Sequence, residues 1–190
     1  MNGMSITDAI YSRRSIRKYL DQKVDRDLLV ELLKAAAAAP TAINCQPWEF
    51  IVVDDEQKIA AIQDELVFAR YNAPSAIIVC GNMKIARKGI EQEFWIQDCS
   101  AAVENMLLAA TGLGLGTVWI GIHPLPTRVK LLRKIFQIPE YVIPLCIVYA
   151  GYPAETKEPR TRYDSKRVYW QEYDPLRKHR TKDKPVAGHY

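Results

Sequence analysis

No stretch of this 190-residue chain is apolar for long enough to cross a bilayer. The longer runs, such as AIIVC at 76–80 and CIVYA at 146–150, fall far short of the ~20 residues that a spanning helix needs. The N-terminal MNGMSITDAIYSRR lacks the apolar segment of a secretion signal, so a cytoplasmic location is expected. Cysteine is scarce: Cys45, Cys80, Cys99 and Cys146 show no CxxC spacing and no clustering with histidine. That pattern argues against a disulfide framework or zinc module and for reduced, mostly buried thiols. Three scattered histidines, His123, His179 and His189, offer no metal-ligand set. The glycines of TGLGLG (111–116) follow a helical segment and precede a strand. A dinucleotide-binding glycine loop needs the reverse order, so these glycines read as a helix stop and a tight connection. There is no internal repeat.

What is there is a globular composition, 48% hydrophobic and 25% charged, in a chain long enough to bury one real core. The charge is uneven. Residues 156–190 hold ten Lys/Arg against five Asp/Glu, which exceeds the whole chain's net +4 and leaves the body near neutral.

Local patterns give the element order. Ser5 or Thr7 caps a short helix, and the basic loop RRSIRKY (13–19) follows. Asp25 caps a second helix with Leu28, Leu29, Leu32, Leu33 and Ala36 at helical spacing, ended by Pro40. EFIVV (49–53) reads as a strand, Glu56–Leu66 as a polar helix, and AIIVC as a central strand after the Asn72-Ala-Pro turn. The longest helix spans about Gly89 to Thr111, with Gly112 as its C-cap. TVWI (117–120) is a strand, 127–136 a short helix, and VIPLCIVYA (142–150) a last strand. Its proline suggests an edge position or an irregular start. The whole is one domain, a core over 1–150 and an arm over 151–190. Tyr152, Tyr163, Tyr169, Trp170 and Tyr173 of the arm must dock on the parent domain, a second copy or a ligand.

Two segments carry candidate chemistry. RRSIRKY offers Arg13, Arg14, Arg17 and the Ser15 hydroxyl, the donors a phosphate monoester needs, although a solvated basic face is also open. Arg160 and Arg162 are spaced to leave one face of an extended segment and could converge on the same dianion. PTAINCQPW (40–48) supplies Asn and Gln donors and acceptors suited to a heteroaromatic edge or a polyol, or else it satisfies only its own backbone.

In this order the segments resemble the flavin-dependent nitroreductase family. The resemblance is carried by R-R-S-x-R, P-[ST]-x-x-N-x-Q-P-W, N-A-P before a strand, and the helix pattern of Asp98, Ala102, Asn105 and Leu108 to Ala110. GLG-x-x-W-I-G, G-Y-P-A-E and the downstream Arg160 and Arg162 complete it. It implies an α+β sandwich with a central mixed sheet, and an intertwined homodimer with an exchanged C-terminal arm and non-covalent FMN at its interface. Arg13, Arg14 and Ser15 would hold the phosphate and ribityl end, completed by Arg160 and Arg162, with Arg17 near flavin N1 and O2. Pro40, Thr41, Ala42 and Asn44 would come from the other subunit, with Gln46 and Trp48 bracing them, or with Gln46 itself touching the ligand. A backbone N–H around Trp119, Ile120 and Gly121 would face N5. The resemblance implies hydride transfer from NADH or NADPH to a nitroaromatic, quinone or similar acceptor by a ping-pong cycle, with no side-chain nucleophile. Tyr71, Phe94 and Trp95 are either core or a substrate pocket.

Many members carry a hydroxyl where this chain has Ala42. Some carry an acid where it has Ile120, a change to be tolerated if the N5 donor is the backbone, though it could still alter pocket polarity. Specialised flavin-fragmenting, dehalogenating or dehydrogenating relatives share the fold. A nucleic-acid module built on the basic tail leaves PTAINCQPW and the near-neutral body unexplained, so neither nucleic acid nor membrane is an expected partner.

Overall fold

The structure, a computed structural model, describes residues 4–86 and 89–177. It divides into two compact units, one up to Pro159 and one from Arg160 onward.

The first unit is built on four strands: β1 (Trp48–Val53), β2 (Ser75–Asn82), β3 (Gly116–Gly121) and β4 (Val142–Gly151), in the order β1-β2-β4-β3. Alternation divides the core. Ile78, Ile147 and Tyr149 pack to one face; Ile77, Val79, Val148 and Ala150 pack to the other. The first face is covered by α3 (Glu56–Glu65) and α5 (Pro126–Phe136), which contribute Ile59, Ile62, Val129 and Leu132. The second is covered by α2 (Arg26–Ala37) and α4 (Trp95–Gly112), with Leu29, Leu32, Cys99, Val103 and Met106 buried between them. The short α1 (Ile6–Ser12), capped by Ser5 accepting from the Asp8 N–H, lies against α4. This is an α+β architecture, as expected.

The expectation of a mixed sheet is corrected, because every strand pair is antiparallel. β2 and β3 do run in the same direction, joined through α4, but β4 inserts between them and pairs with both. Among the described residues, parallel pairing is limited to the isolated bridge between Ser15 and Thr117.

Pro144 does not mark an edge, since β4 is flanked by β2 and β3. It marks the irregular start instead. The register shifts where Pro144 faces Cys80 and Cys146 faces Val79, leaving Leu145 as a bulge. The freed Leu145 carbonyl accepts from Ile122 and His123 N–H. α4 also ends differently from the expectation. Leu113 is its C-cap, and Gly114, at φ 77°, makes the left-handed turn assigned to Gly112. Cys80, Cys99 and Cys146 are buried free thiols, and Cys45 is a half-buried one. Among the described residues no helix is long and apolar enough to cross a membrane.

In the second unit Asp164 caps a short 3₁₀ turn at Ser165–Arg167. Tyr169 stacks on Tyr173 at 4.4 Å, with the Arg177 guanidinium 4.2 Å over Tyr169. Tyr163 and Trp170 are exposed.

Candidate functional site

The basic loop is held by its apolar members. Ile16 sits over Gly116, where a Cβ would come within 2.8 Å of its side chain, and Ile16 N–H donates to the Thr117 carbonyl at 2.9 Å. Tyr19 is 3% exposed and donates its hydroxyl to the Ile16 carbonyl at 2.6 Å. Asn72 closes the other end, accepting from Tyr19 N–H at 3.1 Å and donating to its carbonyl at 2.7 Å. With Ile16 and Tyr19 inside, Arg13, Arg14 and Ser15 are left half-buried and Arg17 exposed. Burial pushes the Tyr19 phenol far above its ordinary range, so it stays a neutral donor.

Residues past β4 fasten this loop from the other side, and sequence reasoning gave them no role. Glu155 accepts from the Arg17 backbone N–H at 2.6 Å and from Lys157 Nζ at 2.9 Å. Lys157 also donates to the Ser15 carbonyl at 2.5 Å, and the Arg14 guanidinium donates to the Glu158 carbonyl. Burial acts to raise the Glu155 carboxyl, but these donors outweigh it and hold the group below its ordinary value. The alternating charges of A-E-T-K-E were the available signal. A cavity of about 330 Å³ lies here, lined by Arg14, Ile16, Gly116, Glu155 and Lys157 among others. Arg13 turns instead to α4, with Nε 3.3 Å from Glu104 Oε1.

The connection after α2 is strained. Ile43, Asn44 and Gln46 have φ of 47°, 59° and 52°, in the left-handed region that non-glycine residues rarely enter. Such positions cost roughly 1–3 kcal/mol each and persist only where surroundings over-determine them. Thr41 Oγ1 accepts from Gln46 N–H at 3.1 Å, and Gln46 Nε2 donates to Asn44 Oδ1 at 2.9 Å. Gln46 thus bonds to two other residues of the loop. Two features escaped the sequence reading: the buried Asp98 on α4 accepts from Ala42 N–H at 2.8 Å, and Ile43 is 65% exposed.

At the far end of β3, Trp119 packs half-buried on the α4 face. Ile120 is 5% exposed, within the α3/α5 core. Its side chain packs into that core. Gly121 is exposed, and a Cβ there would meet nothing within 4 Å, which leaves its backbone open to a ligand. Its carbonyl accepts from Arg128 Nη1 at 2.8 Å, and that guanidinium lies 4.1 Å over Phe68.

The three aromatics considered for a substrate pocket are not brought together. Trp95 is 5% exposed, wedged between Gly81 and the His123 ring at 5.0 Å, so it is core rather than lid. Tyr71 packs edge-on to Tyr149 at 6.2 Å on the opposite face of the sheet. Phe94, just before α4, is the exposed one. Arg160 and Arg162 lie exposed in the second unit.

Residues 10–67 and 66–152 match the profile described as the nitroreductase family. A protein of Methanothermobacter thermautotrophicus, provisionally named an NADH dehydrogenase/NAD(P)H nitroreductase, is 41% identical over 172 residues, covering 90% of this chain and 88% of that one. A crystal structure from Parabacteroides distasonis under the same provisional name superposes with TM-score 0.83 at 34% identity, covering 88% and 98% of the two chains. An FMN-dependent nitroreductase from Clostridium difficile superposes with TM-score 0.77 at 32% identity, covering 87% and 98%.

Proposed function

This chain belongs to the nitroreductase family, and on that premise we propose that it is an FMN-dependent NAD(P)H oxidoreductase acting on nitroaromatic, quinone or similar acceptors. The observation that carries the reading is the layout along β3. The arginine loop is bridged to Thr117 near its start, and the open backbone of Gly121 stands at its end. Four residues of strand separate them by roughly 13 Å. That span suits a ligand with a phosphate at one end and a flat ring at the other, and the donor chemistry matches both ends.

In this reading Arg13, Arg14 and Ser15 take the phosphate and ribityl end. Arg17, exposed and unencumbered by an ion pair among the described residues, places positive charge beside the pyrimidine edge of the ring. The Gly121 region offers a backbone N–H to N5, set by the pairing of Ile120 with Ile147 just before it. Pro40, Thr41, Ala42 and Asn44 serve the site of a second copy, which makes the working unit a homodimer with the C-terminal arm exchanged. The exposed Ile43 supports this, since an apolar side chain held in a strained backbone gains by being covered. Bound FMN would supply reversible two-electron transfer between NAD(P)H and an acceptor, the two using one face in turn. No side-chain nucleophile is needed.

The test is the spectrum and activity of the purified protein. We expect a yellow protein of twice the chain mass that releases FMN on denaturation and oxidises NADH or NADPH when a nitroaromatic or quinone is added. A colourless protein that takes up no added FMN would overturn the proposal.

A further inference from the structure

α4 carries two polar side chains one heptad apart, Asp98 and Asn105, and they bond to the backbone on either side of the point where α2 gives way to the connection with β1. Asn105 Nδ2 donates to the Ala35 carbonyl in the last turn of α2 at 3.1 Å. Asp98 Oδ1 accepts the Ala42 N–H at 2.8 Å. The two anchor points bracket Pro40, where the chain leaves the helix and enters its left-handed stretch.

The bonds within the loop, from Gln46 to Thr41 and Asn44, close it on itself without tying it to the rest of the fold. Beyond it, Asn82 N–H donates to the Pro47 carbonyl at 2.7 Å and fixes the entry into β1. Asp98 supplies the attachment on the helix side. At 6% exposure a carboxylate is costly to bury, whereas an apolar residue would pack at that position without this cost. A charge-assisted bond to one backbone N–H is what offsets the cost, and that bond sits one residue before Ile43, at φ 47°.

We propose that Asp98, supported by Asn105, is the positioning residue that fixes residues 41–46 in the shape the cofactor site requires. Its effect on flavin affinity rests on the FMN reading above; its effect on the loop does not. Asp98 acts through the backbone and does not itself touch the cofactor.

The test is amide hydrogen exchange on the full-length protein, as purified and after removal of flavin, read at Ala42 and alongside an FMN titration. Asp98→Ala is expected to speed exchange at Ala42 at least about tenfold and to weaken FMN binding about tenfold, the scale of one charge-assisted hydrogen bond. Core amides such as that of Ile147 keep their rates. Asp98→Asn retains an acceptor without its charge and should fall between wild type and Asp98→Ala in both measurements, a graded rescue that a general packing defect would not give. Unchanged exchange at Ala42 in both variants overturns the clamp. Faster exchange with unchanged FMN affinity overturns its link to the site. If wild-type protein takes up no FMN, the flavin reading falls and the exchange measurement still decides the clamp. Should Asp98→Ala not fold, Asp98→Asn decides alone, with several-fold faster exchange expected at Ala42.

Discussion

Arg13, at the end of α1, points its Nε at the Glu104 carboxylate of α4 across 3.3 Å, and that leaves its terminal nitrogens directed elsewhere. The pair is partly exposed, so it contributes little to stability, on the order of 1 kcal/mol or less. Its value lies in aiming the guanidinium. Arg13→Ala should therefore leave the fold intact while weakening FMN binding by roughly one to two decades, the loss of a charge-assisted contact. Arg13→Lys should lose less because charge remains. FMN titration with urea unfolding of the same variants checks both halves; unchanged affinity in Arg13→Ala would mean that the phosphate lies elsewhere.

Gly81→Ala should be strongly destabilising. The added Cβ would lie 2.3 Å from Trp95 Cε3, and the ring cannot retreat because His123 packs against it. Overpacking of this kind costs roughly 1–3 kcal/mol. Gly112→Ala is the control: nothing lies within 4 Å and the residue ends α4, so it should be neutral or gain up to about 1 kcal/mol. Denaturation midpoints of the two variants should move in opposite directions or differ by the full cost.

Tyr149 is fully buried, and its hydroxyl has no hydrogen-bond partner among the described residues. A buried polar group left unpaired costs about 1–3 kcal/mol, whereas the ring alone packs well against Tyr71. Tyr149→Phe should then raise the unfolding free energy by about 1 kcal/mol. A drop in stability would show that the hydroxyl is satisfied in solution.

Glu155 gives a pH signature. Burial raises its pKa, but the Arg17 N–H and Lys157 Nζ lower it further, so the folded value lies below the ordinary 4.5. The unfolded chain binds the proton more readily, and the stabilisation is therefore complete above the unfolded pKa and lost as pH falls through the folded one. The difference in urea midpoint between wild type and Glu155→Gln should be constant near neutrality and shrink on acidification below about pH 4.5. A gap that widens instead on acidification would contradict the strap geometry.

The sequence by itself determined the elements and the family. Leu29, Leu32 and Ala36 at helical spacing, the unbroken apolar AIIVC and the stop at Pro40 are local signals, read by the same backbone geometry that forms the structure. The order of R-R-S-x-R, PTAINCQPW and the α4 pattern was likewise written along the chain. Only the tertiary structure decided which elements meet. It set β4 between β2 and β3, which turned an expected mixed sheet antiparallel and put Pro144 beside the Leu145 bulge of a central strand. It sent Trp95 into the core while Phe94 stayed outside, and it placed Asp98 on Ala42 and Glu155 on Arg17. Those pairings join residues 56 and 138 positions apart, and no periodicity reports them. Sequence period records which way a side chain leaves its own helix or strand; what it meets there depends on where the rest of the chain has gone.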